Sequence, residues 1–150
     1  MKSLVVYYSR TNVTQKLAED IAGKIGADIE QIEPKKDKYQ GKLGYVRAGK
    51  DAMSAKIIDL KDLKYDPSQY DMIYLGAPVW ASKAANPMIS YMKQNEGKFE
   101  NVKFFMTAGG PNFDSSFAQM EEFSKEPVAT LGLTTKEVKN NDYSLEGFID

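Results

Sequence analysis

Three short runs, Lys2–Tyr8, Met72–Ala77 and Val102–Thr107, are apolar almost without a break, and helical segments lie between them. A strand with no polar face is buried on both sides, which parallel sheets covered by helices provide. After the first run, Leu17, Ala18, Ile21, Ala22 and Ile25 recur at helical spacing, predicting a helix from Val13 or Thr14 to Ile25 with Gly26 as its stop. Ala27–Ile32 alternates like an outer strand and ends before Pro34. Residues 35–50 are polar and basic and predict a loop, then a helix over Gly44–Lys56. Ile57–Leu60 reads as a short extended piece, and Asp66-Pro67 as a turn. Helices are expected over Asn86–Asn95, with Pro87 in the first turn, and over Ser115–Ser124, burying Phe117, Met120 and Phe123. A last strand falls within Val128–Val138, and Ser144–Asp150 has room for only a short helix. Alternating strands and helices predict one α/β domain over residues 1–150. Its architecture is a three-layer, doubly wound five-stranded parallel sheet, for which the common order is 2-1-3-4-5.

At 150 residues the chain can bury a core of its own. It contains neither Cys nor His. Disulfides, thiolate or imidazole metal sites, iron–sulfur ligation, Cys nucleophiles and Ser-His-Asp triads are therefore excluded, and no metal site is expected. Redox or proton chemistry would have to come from carboxylates, hydroxyls, lysines or a bound cofactor. No apolar run approaches the 18 or so residues of a membrane span. Met1-Lys2-Ser3 leads straight into the first strand without a secretory signal, so a cytoplasmic protein is expected, with no membrane partner. Net charge is −1, which argues against nucleic acid as a partner. The charge is uneven: residues 35–64 carry nine Lys/Arg against four Asp/Glu, and residues 114–150 carry three against eight.

In sheets of this kind ligands bind beyond the carboxyl ends of the strands, where the strand order reverses. The first loop there is Ser9-Arg10-Thr11-Asn12-Val13-Thr14. Its hydroxyls and amides meet a helix N-terminus, a place suited to an anion such as phosphate. Asn12 is a residue type that tolerates a left-handed backbone. The second loop, Ala77-Pro78-Val79-Trp80-Ala81-Ser82-Lys83, holds the single Trp among small residues, where it serves either as a stacking surface or as packing over the next helix, and Pro78–Ser82 are its candidate ligand residues. The third, Thr107-Ala108-Gly109-Gly110, is small enough for backbone to approach a flat ligand. Together they suit a molecule with a phosphate and a large planar ring.

These loops and the element order resemble the flavodoxin family, which binds flavin mononucleotide (FMN) noncovalently. The family's phosphate loop reads Ser/Thr-x-Thr-Gly-Asn-Thr, against Ser9-Arg10-Thr11-Asn12-Val13-Thr14 here. Gly76–Ala81 followed by Pro87 and a helix is similar to its second flavin loop, and Thr107–Gly110 to its third. The resemblance implies that Ser9, Thr11 and Thr14 with neighbouring amides hold the phosphate. It sets Pro78–Ser82 beside the ring with Trp80 flanking it, Ala108–Gly110 on the other side, and Asn112 or Phe113 at an edge. Asn12 and Val13 depart from the family's Gly and Asn, and the near-neutral charge departs from its usual acidity. Arg10 and Lys83 either point into solvent or approach the ring, where they would raise its potential. The function implied is an FMN electron carrier between partner redox proteins, monomeric or weakly dimeric. An FMN-dependent NAD(P)H:quinone oxidoreductase and a flavin-free scaffold are the alternatives.

Overall fold

The computed structural model describes residues 1–150. Five strands lie parallel in the order β2-β1-β3-β5-β6: β1 is Ser3–Tyr7, β2 Asp28–Gln31, β3 Met72–Trp80, β5 Val102–Ala108 and β6 Ala129–Thr134. A short β4, Lys83–Ala84, returns antiparallel along the end of β3. The helices are α1 Val13–Ile25, α2 Gly41–Met53, α3 Asn86–Gln94, α4 Asp114–Phe123 and α5 Thr135–Lys139. This is the expected doubly wound order, with a hairpin strand added.

The apolar runs behave as their composition requires, because successive side chains of a strand face opposite sides. Leu4 and Val6, Ile73 and Leu75, and Phe104 and Met106 share one core with Met88, Ile89 and Met92 of α3 and Met120 of α4. Val5 and Tyr7, Tyr74 and Phe105 share the other with Leu17, Ala18 and Ile21 of α1 and with Leu145 and Phe148 near the C-terminus. Strands β1, β3 and β5 are thus covered on both faces. No helix is long and apolar enough to cross a membrane.

Four local expectations are corrected. β3 runs three residues past Ala77, so Trp80 ends a strand instead of lying in a loop. α2 begins at Gly41, three residues early, and stops at Met53. The last strand, β6, lies within the expected Val128–Val138, and after it Thr135–Lys139 forms α5 through a capping box between Thr134 and Glu137. The Ser144–Asp150 segment is not helical but packs Leu145 and Phe148 under the sheet. Within Ile57–Leu60, only Leu60 pairs as extended backbone, with Pro34.

Candidate functional site

The first loop leaves β1 and enters α1 through Asn12, whose φ of 69° and ψ of 2° are left-handed. No side chain caps α1. Its leading amides therefore keep the unsatisfied, partly positive character of a helix N-terminus. The Ser9 hydroxyl is shielded from solvent and has no hydrogen-bond partner. A shielded hydroxyl without a partner costs about 1–3 kcal/mol, so this loop is short of one polar group. Thr14 is committed elsewhere: its hydroxyl shares a 2.8 Å hydrogen bond with that of Thr107, tying the first loop to the third inside the core.

Arg10 points neither freely into solvent nor freely at a ligand. Its Nε donates to the Tyr39 carbonyl at 2.7 Å and its Nη2 to the Gly41 carbonyl at 3.1 Å. Its guanidinium also lies 5.5 Å from the centre of the Tyr45 ring. The cation is therefore held in place, linking the first loop to the start of α2.

The second loop is a hairpin. Ala81 and Ser82 form its two-residue turn with φ of 50° and 66°, conformations that two-residue hairpins favour and that side chains other than Asn, Asp or Gly resist. α4 secures it: the Gln119 side chain accepts from the Ala84 amide at 2.9 Å, and Ser116 Oγ donates to the Ser82 carbonyl at 3.3 Å. The hairpin presents Trp80, whose ring meets Tyr8 edge-on at 5.4 Å and Tyr39 at 5.2 Å. Behind this wall, Tyr39 is fully buried. Its hydroxyl donates to Asp51 Oδ2 at 2.8 Å and accepts from Asn86 Nδ2 at 2.9 Å. Burial, opposed by the Asn86 bond and aided by Asp51, pushes the Tyr39 phenol up to about 12. The indole is thus backed by a rigid polar network.

These parts surround one cleft of about 490 Å³ at the carboxyl ends of β1, β3 and β5. Of the residues expected from sequence, Arg10, Thr11, Val13, Pro78, Val79, Trp80, Ala81, Thr107, Ala108 and Gly109 line it. Ser9, Asn12, Thr14, Ser82 and Gly110 do not line it but belong to the same three loops. Phe113 is not at the cleft. It is buried against Phe117 and over Gly132, where a Cβ would come within 2.4 Å of its ring. Neither Asn112 nor Lys83 lines the cleft. Sequence reasoning missed Tyr45, Val46, Ala48 and Gly49 of α2, and Thr135 of α5. An aromatic and a β-branched residue side by side in a polar, basic helix were the available signal for α2.

A family model described as Flavodoxin matches residues 2–142. No curated protein matches the sequence. Among solved structures, a flavoprotein from Lactobacillus acidophilus NCFM in complex with FMN superposes with a TM-score of 0.78 at 22% identity, covering 95% of this chain and 99% of that one. The apo form of the flavoprotein from the same organism gives 0.64 at 22%, covering 87% and 91%. Oxidised Flavodoxin 1 from Bacillus cereus gives 0.52 at 16%, covering 93% and 91%.

Proposed function

This chain belongs to the flavodoxin family, and from that premise we propose that its cleft holds FMN noncovalently and that the protein carries electrons between partner redox proteins. The observation that carries the cofactor is the uncapped α1 N-terminus, which opens through Thr11 and Val13 on a cleft walled by an indole, with a shielded, unpartnered Ser9 hydroxyl in the same loop. A phosphate on this loop would satisfy Ser9, take donation from Thr11 and the amides of the first turn, and lie near the fixed charge of Arg10. Trp80 and Tyr45 offer aromatic walls for a planar ring, and Ala108 and Gly109 a small-residue edge. Bound FMN supplies the capacity to accept and release one or two electrons. The chain's own residues bind and orient it and keep water from one side.

The carrier reading is supported by the cleft's volume of about 490 Å³, which lies in the range of sites for a single ligand. The test is a visible spectrum of the purified, FMN-loaded protein during stepwise reduction. One FMN per chain, bleached reversibly and accompanied by quenching of Trp80 fluorescence, is expected. Oxidation of NADH or NADPH with a quinone at about 10 turnovers per second would replace the carrier with the oxidoreductase. A protein that takes up no added FMN leaves only the scaffold.

A further inference from the structure

One face of α2 is apolar, uncovered and ringed by cations. Leu43, Val46, Lys50 and Met53 recur three and four residues apart, so they form a single stripe. It lies opposite Gly44, Ala48, Asp51 and Ala52, which face the protein. Leu43 is 78% exposed and Met53 70%. Five of the eight exposed large apolar side chains fall between Leu43 and Ile57. Apolar surface gathered in this way marks an interaction site. A ligand in the cleft would cover Tyr45 and Val46, which line it, but Leu43, Met53 and Ile57 lie outside that lining.

Along α2 and the turn that follows it the exposed charge has one sign. Between residues 41 and 57 the exposed charges are Lys42, Arg47, Lys50 and Lys56, and the only acid, Asp51, is buried under the Tyr39 hydroxyl. The positive surface continues into a pocket of about 320 Å³ lined by Lys35, Lys36, Lys38 and Lys56, with Asp59 as its one acid. There the Lys56 ammonium, with burial and against Asp51, holds Lys38 below the usual lysine range. A second copy docked face to face by a twofold axis would set these cations against one another. The complementary occupant carries the opposite charge.

We infer that the exposed face of α2 is a docking surface for an acidic redox protein, one that presents an apolar patch rimmed by Asp and Glu. Burial of the apolar stripe supplies affinity, while the cations steer approach and set orientation. Val46 belongs to both stripe and cleft lining, so a partner seated on α2 stands against the cleft mouth. The inference rests on reading that cleft as the flavin site.

The test titrates ¹⁵N-labelled, FMN-loaded protein with two probes, an acidic [2Fe–2S] ferredoxin and a basic cytochrome c, following amide shifts. Ferredoxin is expected to perturb residues 42–57, to bind at least tenfold more weakly when salt rises from 50 to 500 mM, and to outcompete cytochrome c. Lys50→Glu combined with Leu43→Ser should weaken it at least tenfold and leave the flavin spectrum unchanged. Met53→Ser alone should weaken it severalfold. Shifts confined to the acidic 114–150 segment, preference for cytochrome c, or unchanged affinity in the variants would overturn the inference. So would a dimer in sedimentation that Leu43→Ser disperses, or saturable perturbation of the same amides by NADH. Failure of the wild-type protein to take up FMN is read separately, from the spectrum. It removes the reading of the cleft without touching the shift map of the FMN-free protein.

Discussion

Single residues of the loops that form the cleft hold conformations and polar groups that the free fold gains little from. Ser9 is the clearest. Its hydroxyl is shielded and unpartnered, so Ser9→Ala removes an unsatisfied group. Stability of the FMN-free protein in urea should stay level or rise by about 1 kcal/mol. FMN affinity, which loses a donor to a charged phosphate worth roughly 1.5–3 kcal/mol, should fall at least tenfold. Loss of both together would mean that the hydroxyl is structural. The Ala81–Ser82 turn makes a second case. A left-handed backbone costs a residue with a side chain about 1–2 kcal/mol, part of which glycine returns as entropy of the unfolded chain. Ala81→Gly and Ser82→Gly should each stabilise the protein by about 0.5–1 kcal/mol, measured as a higher urea midpoint at unchanged slope. Asn12 has the same geometry but is a residue type suited to it, and its tolerance was legible in the sequence for that reason. The strain at Ala81 and Ser82 was not legible, because neither residue advertises a positive φ.

Among the elements, those set by burial on two faces were readable, and those set by a local hydrogen bond or a tight turn were not. β1, β3 and β5 announced themselves through unbroken apolar runs, and α1 through its 3.6-residue period. The β3–β4 hairpin lacked the Asn-Gly or Gly signals that mark such turns, so Trp80 read as a loop residue. What holds the hairpin is tertiary: the buried Gln119 side chain satisfies the Ala84 amide from α4. That dependence is testable. Gln119→Leu leaves a buried N–H without an acceptor, at a cost of about 1–3 kcal/mol, and frees the β4 end of the turn. Trp80 anisotropy should drop and acrylamide quenching should rise, whereas far-ultraviolet dichroism should barely change. An unaltered Trp80 environment would show that Tyr8 and Tyr39 alone fix the indole. Likewise, α5 depends on the reciprocal bonds of Thr134 and Glu137, a three-residue device inside a stretch whose Val, Leu and Thr residues favour a strand. The contribution of α2 to the cleft was hidden because Tyr45, Val46, Ala48 and Gly49 lie in a polar, basic stretch with no phosphate- or ring-binding pattern.

At the scale of the whole molecule, composition exposes a property that no single element shows. With no His and no Cys in the chain, the side chains whose ordinary pKa values fall between about 6 and 8.5 are missing. The resolved shifts then lie at the two ends of the pH scale. Hydrogen bonds from Ser68 and Thr134 hold Asp66 and Glu137 below their reference values of 3.8 and 4.5. Carboxyls lowered on folding stabilise the protein above their unfolded pKa, and that stability is lost as pH falls through the lower folded value. The tyrosines act in the opposite sense. Burial raises Tyr8, Tyr39, Tyr70, Tyr91 and Tyr143 above 10.0, with Tyr39 and Tyr143 reaching about 12. An acid raised on folding contributes in full below its unfolded pKa, and the contribution disappears as pH climbs from 10.0 through the folded value. Lys103, lowered by burial, works weakly against that alkaline loss. The FMN-free protein is therefore expected to show a flat stability plateau from about pH 6 to 9. Stability should then fall steeply above pH 10, tracked by tyrosinate absorbance appearing together with loss of helix. Tyr39→Phe should lower the plateau by about 1–3 kcal/mol, because Asp51 and Asn86 lose a buried partner. It should also make the alkaline fall shallower, because one raised phenol is gone. A bell-shaped profile with its maximum inside pH 6–9, or ionisation of all nine tyrosines near pH 10 in protein that stays folded, would show that these phenols are open to water.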